Sequence, residues 1–541
     1  MRKRWDWTWL WLFLLALGLR LAFLPRAHVL QTEGTTYVTL ARHLLQGTGY
    51  VGILGETELV MVSVFPHLIA LVGTLVGNLV LGGRIIALFS GAALVIPTYF
   101  LGRDLFHRRA GIASALLVAF HPYLLMYAPL VRVENPFMFV WLFGIYATWR
   151  ALIDGPRGRW WLGVPIFFGG AYQLKSEGAV YFTLSLMLIF LIWYRRYRPG
   201  TWAPALLLQS SIFLLIALPV VVWLSGQTGR LTTDTKGLIN YTIAIRIAHG
   251  MDYHHAAYGL AAGGAPAGPL LDRNRMVRLG VGQKRPALED PAYRQGMVRT
   301  LIRESQLLRW PLLGYLWIGV AGVGVILGLT RRDAWKILFP AWYVIPAFLG
   351  VSTILFVWTR YLLPVIPLTA LWAGYGVDEL AKTIAKAWRT SPRTTGRVYI
   401  IGGGLILLFL IGLHPYTRIA WRQRTVVHDL EQEQAGLWLR EHDSRPDKRI
   451  MSTTSQVPYY AAGVHVPMPV DDRHLILQYM ARRHVEYVVI SEAKDKGRPT
   501  AYWLDPNHAP PGWELLFRNE NPRQPAILIY HVKPQNCGCG Q

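Results

Sequence analysis

Long apolar runs recur through most of the chain and constrain its fold more than any other feature. A helix needs about 20 apolar residues to cross about 30 Å of hydrocarbon. The composition agrees, because 53% of the residues are hydrophobic and only 16% are charged, whereas soluble proteins average about 25% charged residues. The sequence therefore predicts a mainly α-helical, polytopic membrane protein, with apolar runs at 7–25, 61–81, 84–101, 110–128, 135–149, 160–174, 178–194, 202–224, 310–329, 335–357, 361–377 and 398–414.

The positive charge lies mostly in short loops between these runs. The formal net charge is +24, a value that would suit nucleic-acid binding if the cations formed one soluble surface. Short basic loops are instead typical of the cytoplasmic side of membrane proteins, where they also contact lipid head groups. We therefore predict membrane lipids and no nucleic acid as partners, and place inside the N-terminus together with the loops at 103–109, 150–159, 195–198, 331–336 and 382–397.

The number of crossings follows from these loops. If all twelve runs crossed, the N-terminus would lie inside and the five later basic loops outside. If the run 61–81 does not cross the membrane, all six basic segments lie inside. This run contains Pro66 and His67 and is followed by Gly82-Gly83-Arg84. We therefore predict that 61–81 is re-entrant or interfacial. About eleven transmembrane helices follow, with a cytoplasmic N-terminus and a periplasmic or extracellular C-terminus.

Two domains follow from this topology. Residues 1–417 form a transmembrane domain whose outer loops are 26–83 and 226–308. Residues 418–541 are less apolar and predict a small soluble α/β domain on the non-cytoplasmic side, with no nucleotide-binding glycine loop. Within it the patterns predict helices at Glu431–Asp443 and Asp471–His484 and strands at Val485–Ser491 and Ala526–Val532.

Several charged residues fall at the outer ends of different helices in this topology. Charges inside a membrane cost about 2.5–3.5 kcal/mol at a helix centre and therefore often mark sites or pathways. The topology did not use these residues, yet it places them on one face. Phosphate bound by Arg or Lys beside a general base fits such a mixture, although interfacial charges paired with lipid or with each other would also explain it. The residues are Glu33, Arg132, Glu134, Lys175, Glu177 and Arg360.

At these residues the chain resembles the membrane glycosyltransferases of the GT-C fold, particularly glycosyltransferase family 39, which includes protein O-mannosyltransferases and lipid A aminoarabinose transferases. The segment from Glu33 to Tyr50 is similar to the family's first outer loop, with an acidic residue, a tyrosine and an Ala-Arg-x-Leu-Leu-x-Gly pattern. The segment from Arg84 to Gly111 resembles the next span and cytoplasmic turn. The sequence Arg360-Tyr-Leu-Leu-Pro-Val-Ile-Pro367 resembles a late Arg-Tyr-x-x-Pro motif.

The resemblance implies an enzyme that uses a polyprenyl-phosphate-linked sugar as donor. Arg360, Lys175 and Arg132 would bind the donor phosphate. Glu33 would take a proton from the hydroxyl of a lipid, glycan or protein acceptor. That hydroxyl would attack the anomeric carbon and invert it in a single displacement.

Three other residues are expected to position the substrate under this resemblance, namely Glu134, Glu177 and Tyr37, the last of which also suits an interfacial aromatic belt. The chain departs from the family pattern in two places. Glu33-Gly34 stands where relatives often have Asp-Glu, and Lys175 stands where many have Arg. With the second carboxylate absent, we predict no metal ligands; a divalent metal is compatible with the family but is not required by this sequence.

Other functions on the same architecture stay open. An oligosaccharide ligase or a phospho-group transferase would gather similar residues at one face. A transporter is a further alternative, but transporters of this size more often place broken helices and their site near the bilayer midplane. No internal repeat stands out in the chain, and a transporter would leave the soluble tail unexplained.

The topology makes a direct prediction for thiol labelling. Cysteines introduced at 105 and 155 should be protected from a membrane-impermeant thiol reagent in intact cells, because both positions lie in predicted cytoplasmic loops. Cysteines introduced at 265 and 500 should react. Labelling at 105 would show that the run 61–81 crosses the membrane and would contradict the outer-face site.

Overall fold

The computed structural model describes residues 6–280, 289–331, 334–388, 392–422 and 429–533, most of which are helical. In chain order the α-helices are α1 Thr8–Leu21, α2 Thr32–Leu45, α3 Phe65–Val76, α4 Leu79–Ala93, α5 Val95–Leu105, α6 Arg108–Phe120, α7 Pro122–Tyr127, α8 Glu134–Asp154, α9 Trp160–Leu174, α10 Glu177–Arg196, α11 Pro199–Thr228, α12 Lys236–Ala248, α13 Tyr253–Tyr258, α14 Arg273–Leu279, α15 Pro291–Leu307, α16 Tyr315–Thr330, α17 Ala334–Ser352, α18 Val365–Ala387, α19 Pro392–Gly412, α20 Thr417–Arg422, α21 Leu430–His442, α22 Gln456–Tyr460, α23 Arg473–Arg482 and α24 Glu492–Asp495. The strands are β1 Leu260–Ala261, β2 Ala265–Pro266, β3 Arg449–Ser452, β4 Val464–Pro467, β5 Tyr487–Ser491, β6 Trp513–Arg518 and β7 Ile527–Val532.

The apolar helices establish a multi-pass membrane protein. Among the described residues seven helical segments are long and apolar enough to cross, or eight if the bent pair Pro291–Trp310 and Tyr315–Thr330 is one span. The prediction of eleven crossings exceeds this number because several apolar runs form short helices, so it stays a prediction. The seven segments are Thr8–Arg26, Leu79–Leu105, Glu134–Asp154, Glu177–Arg196, Pro199–Thr228, Ala334–Ser352 and Thr395–Gly412.

The run 61–81 contains a helix that is too short to cross by itself. Helix α3 has 12 residues, or about 18 Å at 1.5 Å per residue, against about 30 Å of hydrocarbon. It ends at Gly77, whose φ of 72° places it in the left-handed region that favours glycine. Helix α4 then begins at Leu79, two residues later. The apolar run 61–81 therefore ends inside α4.

The chain forms two compact units, each built from three separate stretches. Unit 1 comprises Met1–Arg26, Arg84–Trp223 and Met297–Val426, and unit 2 comprises Ala27–Gly83, Leu224–Gly296 and Val427–Gln541. Unit 2 thus collects most of the three segments that the charge distribution assigns to the outer face. The domain boundary between 417 and 418 stays a prediction.

An arginine interrupts the apolar surface of the first helix in unit 1. Arg20 is fully buried, and its Nη1 donates to the carbonyl oxygens of Ala16 at 3.2 Å and Ala119 at 3.4 Å. A buried charge is costly unless hydrogen bonds compensate it. Both carbonyls therefore solvate the guanidinium, and the bond to Ala119 also joins α1 to α6.

Ion pairs connect the N-terminal segment with two of the basic loops in unit 1. Arg103 lies 3.5 Å from Asp6 and 2.8 Å from Asp104. Asp104 also accepts from Arg150 at 3.2 Å. The last turns of α5 and α8 therefore lie at the same end of unit 1 as the start of α1.

A second group of ion pairs extends the same end to two further loops. Asp378 lies 3.0 Å from His107 and 2.5 Å from Lys382, and Glu379 lies 2.8 Å from Lys382 and 2.6 Å from Arg331. We call this end of unit 1, marked by both groups, the basic end. The N-terminal segment and four predicted cytoplasmic loops share this end. That arrangement is consistent with the prediction that these segments lie on one side of the membrane. Which side of the membrane the basic end faces stays a prediction.

The core of unit 2 is a five-stranded mixed sheet with the order β4-β3-β5-β7-β6. Strand β3 is parallel to β4 and β5, and β7 is antiparallel to β5 and β6. Alternate residues of β5 enter two different apolar clusters, Val488 with residues of α23 and Val489 with residues of α21. Helices thus cover both faces. The two strands predicted from sequence are β5 and β7; the pattern missed β3, β4 and β6.

The edge strand β4 is covered by a loop from the N-terminal part of unit 2. The His465 amide donates to the Ile53 carbonyl at 2.9 Å, and Val51 forms an antiparallel bridge with Thr57 in the same loop. Exposed sheet edges are open to further strands. This loop occupies the free edge at His465.

A buried carboxylate fixes the end of that loop. Glu58 is 1% exposed; its Oε1 accepts from the Val60 and Met61 amides at 3.0 and 3.1 Å, and its Oε2 forms an ion pair with Arg273. The Leu59 amide donates to Asn274 Oδ1 at 3.3 Å. Helix α14 is thereby attached to the 51–61 loop, although nothing in the local sequence distinguishes Glu58 from a solvated loop carboxylate.

Candidate functional site

Lys175 and Glu177 lie in a tight turn between α9 and α10 in unit 1. Lys175 Nζ is 3.2 Å from Glu177 Oε1 and 5.2 Å from the centre of the Phe137 ring. A Cβ at position 178 would lie 2.3 Å from the Tyr172 amide nitrogen, so only glycine allows α10 to start so close to α9. In the Lys-Ser-Glu-Gly sequence, the close packing of α10 against α9 thus requires Gly178. The side chain of Lys175 is largely buried and that of Glu177 is about half exposed.

Glu134 belongs to the same group of charges. Its side chain is 8% exposed, and its Oε2 has no hydrogen-bond partner among the described residues. Burial alone would lower the pKa of Lys175, but the carboxylates of Glu177 and Glu134 more than offset it, and the pKa lies above the usual lysine value. Lys175 is therefore a cation at neutral pH, flanked by two carboxylates.

The two predicted arginines lie beside aromatic rings. The Arg132 guanidinium is 5.3 Å from the centre of the Tyr127 ring, and its Nε is buried without a hydrogen-bond partner among the described residues. Arg360 lies in the turn Thr359–Leu362, 5.3 Å from the centre of the Tyr361 ring. Tyr361 also contributes to the electrostatic environment of Lys175. Cation–π contacts hold a guanidinium in place without neutralising it.

These residues lie at the opposite helix ends from the basic end. Helix α8 begins at Glu134 and ends at Asp154, where Arg150 pairs with Asp154 at 3.0 Å. Helix α10 likewise begins at Glu177 and ends at Arg196. Unit 1 therefore carries one set of charged residues at the basic end and another at the opposite helix ends. Lys175 and its two carboxylates belong to the second set.

Glu33 and Tyr37 belong to unit 2, on helix α2. Glu33 is the second residue of α2 and is half-buried. Tyr37 is 5% exposed and packs edge-on against Phe65, with the ring centres 5.1 Å apart. Tyr37 thus packs α2 against α3, and its expected role in positioning the substrate stays a prediction.

The missing second carboxylate after Glu33 has a local explanation. A Cβ at Gly34 would lie 2.6 Å from Leu30 Cδ2 and 3.3 Å from the Gln31 side chain. A glutamate at this position would have to displace Leu30, which is 2% exposed. The first turn of α2 therefore presents Glu33 as its acidic residue.

Hydrogen bonds from α22 hold the N-terminus of α2, and sequence analysis did not identify them. Ser455 Oγ donates to the Thr32 carbonyl at 3.1 Å and lies 2.7 Å from Thr35 Oγ1. Gln456 Nε2 donates to the Leu30 carbonyl at 3.0 Å. We call Ser455 and Gln456, with these contacts, the α2 clamp. Its members are buried polar residues in the segment Ser-Gln-Val-Pro, a composition that resembles an ordinary turn.

The described residues contain one group of His, Asp and Glu side chains close enough to share a metal ion, and it lies at the basic end. It comprises His107, Asp378 and Glu379. Lys382 Nζ already lies among them, 2.5 Å from Asp378, 2.8 Å from Glu379 and 3.3 Å from His107. This group is therefore an ion-pair network. Glu33 is not part of such a group among the described residues.

One stretch of the chain matches the model of a known family. Residues 63–223 match the family described as dolichyl-phosphate-mannose-protein mannosyltransferase. The matched stretch includes Arg132, Glu134, Lys175 and Glu177 but not Glu33 or Arg360. No curated protein matches the chain at a significant level.

Comparison with solved structures extends over nearly the whole chain. The Archaeoglobus fulgidus oligosaccharyltransferase AglB, in complex with an inhibitory peptide and a dolichol-phosphate, matches with a TM-score of 0.61 at 12% identity, covering 91% of this chain and 70% of that one. ArnT from Cupriavidus metallidurans bound to undecaprenyl phosphate matches with a TM-score of 0.54 at 13% identity, covering 97% of this chain and 98% of that one. The chain is similar to these two proteins in architecture at low sequence identity.

The α2 clamp gives a prediction that does not depend on function. Replacing Gln456 with Ala leaves the Leu30 carbonyl unsatisfied, which costs about 1–3 kcal/mol. Hydrogen exchange of amides 30–36 should accelerate roughly 5- to 150-fold, the equivalent of that free energy. The measurement is hydrogen–deuterium exchange by mass spectrometry on the purified protein. Gln434→Ala, at an exposed position of α21, is the matched control, and unchanged protection in Gln456→Ala would contradict the clamp.

Proposed function

We propose that this chain, a membrane protein with the GT-C glycosyltransferase fold, transfers a sugar from a polyprenyl-phosphate donor to an acceptor hydroxyl on the non-cytoplasmic face. The fold and the family match support a transferase that uses lipid-linked donors. The observation that carries the finer assignment is the group around Lys175: a protonated amine with two carboxylates at the helix ends opposite the basic end.

The donor phosphate is bound by cations in this proposal. Lys175 supplies a point charge with three donors, and Arg132 and Arg360 supply planar guanidinium groups held against tyrosine rings. A charge-assisted hydrogen bond to phosphate is about twice as strong as a neutral one. Glu177 contacts the amine of Lys175 at 3.2 Å, and the carboxylates of Glu177 and Glu134 both favour its protonated form. Undecaprenyl phosphate bound to ArnT, a protein of the same fold, supports a lipid phosphate as the ligand.

Glu33 acts as the general base in this proposal. Its carboxylate takes the proton from the acceptor hydroxyl, and the oxygen forms a bond to the anomeric carbon. The bond between that carbon and the phosphate oxygen breaks, and the polyprenyl phosphate leaves with the electron pair. A single displacement of this kind inverts the anomeric centre. The α2 clamp fixes the first turn of α2, which carries Glu33.

Transfer of a preassembled oligosaccharide is the second candidate, because the AglB match reaches a TM-score of 0.61. That likeness concerns the fold, and the family match describes a mannosyltransferase that uses dolichyl-phosphate-mannose. Purified protein incubated with radiolabelled polyprenyl-phosphate monosaccharides and, separately, with polyprenyl-diphosphate oligosaccharides distinguishes the two. We expect turnover of a monosaccharide donor.

Donor binding should depend on the cations. Neutralising Arg360 to Gln removes a charge-assisted contact of about 1.5–3 kcal/mol, so donor affinity should fall roughly 10- to 150-fold. Lys175→Arg should retain more affinity than Lys175→Ala, since the positive charge remains. The measurement is binding of a polyprenyl-phosphate sugar to protein in lipid nanodiscs. Arg159→Gln, exposed near the basic end, is the control; donor affinity unchanged in Arg360→Gln would remove Arg360 from the site.

Transfer should depend on the Glu33 carboxylate. A general base contributes about 10²- to 10⁴-fold, and glutamine keeps the shape while losing the ability to accept a proton. Glu33→Gln should therefore fold and bind donor normally but lose most of its turnover, and Glu33→Asp should keep partial activity. Glu441→Gln, at an exposed position of α21, controls for the loss of one surface carboxylate. Near-normal turnover by Glu33→Gln would contradict this mechanism.

A further inference from the structure

Unit 2 contains a cavity of about 290 Å³ that the proposed chemistry does not use. Its walls come from the loop around Gly55, from Leu271 and the start of α14, and from β4 and α23. The volume equals that of roughly ten waters at about 30 Å³ each, near the lower limit for ligand pockets. The cavity therefore has room for one compact ligand such as a pyranose ring with its hydroxyls.

The charges lining the cavity cancel. His465, which also lines it, is neutral at pH 7, because burial lowers its pKa to about 4. The carboxylates of the wall would repel an anion, and its guanidinium groups would repel a cation. A neutral ligand with many hydroxyls can instead donate to the carboxylates and accept from the guanidinium groups. The charged residues of the wall are the cations Arg273, Arg449 and Arg483 and the anions Glu56, Asp272 and Asp447.

Part of the wall has unused hydrogen-bonding capacity. Arg273 uses Nη2 to bind Glu58, but its Nε is buried and has no hydrogen-bond partner among the described residues. The side chains of Asp447 and Arg449 are exposed at the wall. A hydroxylated ligand can donate to the Asp447 carboxylate and accept from the Arg449 guanidinium.

The position of the cavity beside β4 disfavours an extended peptide. A peptide commonly binds next to a sheet by adding a strand to a free edge. Here the outward-facing His465 amide already donates to the Ile53 carbonyl at 2.9 Å. A ligand of this cavity must therefore be recognised by side chains, which suits a compact polar molecule.

We propose that this cavity, lined by Arg273, Asp447 and Arg449 among others, binds a neutral monosaccharide unit. Equatorial and axial hydroxyls would bridge the opposed guanidinium and carboxylate groups, and Leu54, Val464 and Pro467 would contact the apolar face of the ring. The assignment of this saccharide as part of the acceptor rests on the proposed function. Saccharide binding as such does not, since it involves neither Glu33 nor the donor.

The test is saturation-transfer-difference NMR on the full-length protein in phosphatidylcholine nanodiscs, without maltoside detergents because these carry sugar head groups. The probes are methyl glycosides of mannose, glucose, galactose and arabinose, with glucuronate and an N-acetylated neutral tripeptide amide as comparison ligands. We expect saturation transfer to at least one neutral glycoside. Asp447→Asn and Arg449→Gln, both at exposed positions of the wall, should each weaken its affinity at least tenfold.

Matched variants locate the binding. Glu520→Gln and Arg523→Gln remove the same charges at exposed positions outside the cavity and should leave the affinity unchanged. The proposal is overturned by absence of signal from the whole panel, by equal affinity in the wall variants, or by a preference for glucuronate or the tripeptide.

The outcome is separable from that of the proposed function. Glu33→Gln should bind the glycoside as wild type does, whereas the wall variants should raise the acceptor KM and keep kcat. Full transfer by Glu33→Gln with intact glycoside binding would defeat the catalytic proposal alone. Loss of glycoside binding in Glu33→Gln would defeat the independence of the cavity.

Discussion

The cost of placing charge in hydrocarbon governs how unit 1 is built. Charged side chains are strongly disfavoured between the ends of membrane helices, so charges accumulate where helices end. At the basic end, Asp378 and Glu379 gather Lys382, His107 and Arg331 within 2.5–3.0 Å. These contacts fix the relative positions of α5, α16 and α18, and they leave the opposite ends for a different set of charges. Arg20 is an exception that the carbonyls of Ala16 and Ala119 stabilise.

The opposite ends carry the chemistry that we propose. A lysine that two carboxylates keep protonated differs from a surface ion pair, because Lys175 has only 13% of its side chain exposed and Glu134 is 8% exposed. The amine of Lys175 can therefore exchange its contact with a carboxylate for a contact with phosphate while it stays protonated. Ring contacts at Arg132 and Arg360 limit the freedom of the guanidinium groups, which reduces the entropy lost on binding a ligand.

In unit 2 a mixed β-sheet is combined with segments that are distant in the sequence. The loop at 51–58 covers the edge of β4, Glu58 attaches α14, and the α2 clamp attaches the helix that carries Glu33. Each of these contacts joins residues more than 150 positions apart in the chain. The C-terminal strands thus act as the platform on which both the Glu33 segment and the saccharide cavity are assembled.

The sequence by itself determined the class of protein and the GT-C resemblance, because apolar periodicity and loop charge are local properties. It also identified Glu33, Arg132, Glu134, Lys175, Glu177 and Arg360 as candidates, whose roles stay predictions. Tertiary structure decided the rest. Lys175 and Glu134 become a charge group only when α8 packs beside the turn between α9 and α10. Tyr37 packs against Phe65 only when α2 and α3 come together. The α2 clamp, the ion pair of Glu58 and the cavity beside β4 join residues remote in sequence, and no local pattern encodes which remote partner will satisfy a buried polar group.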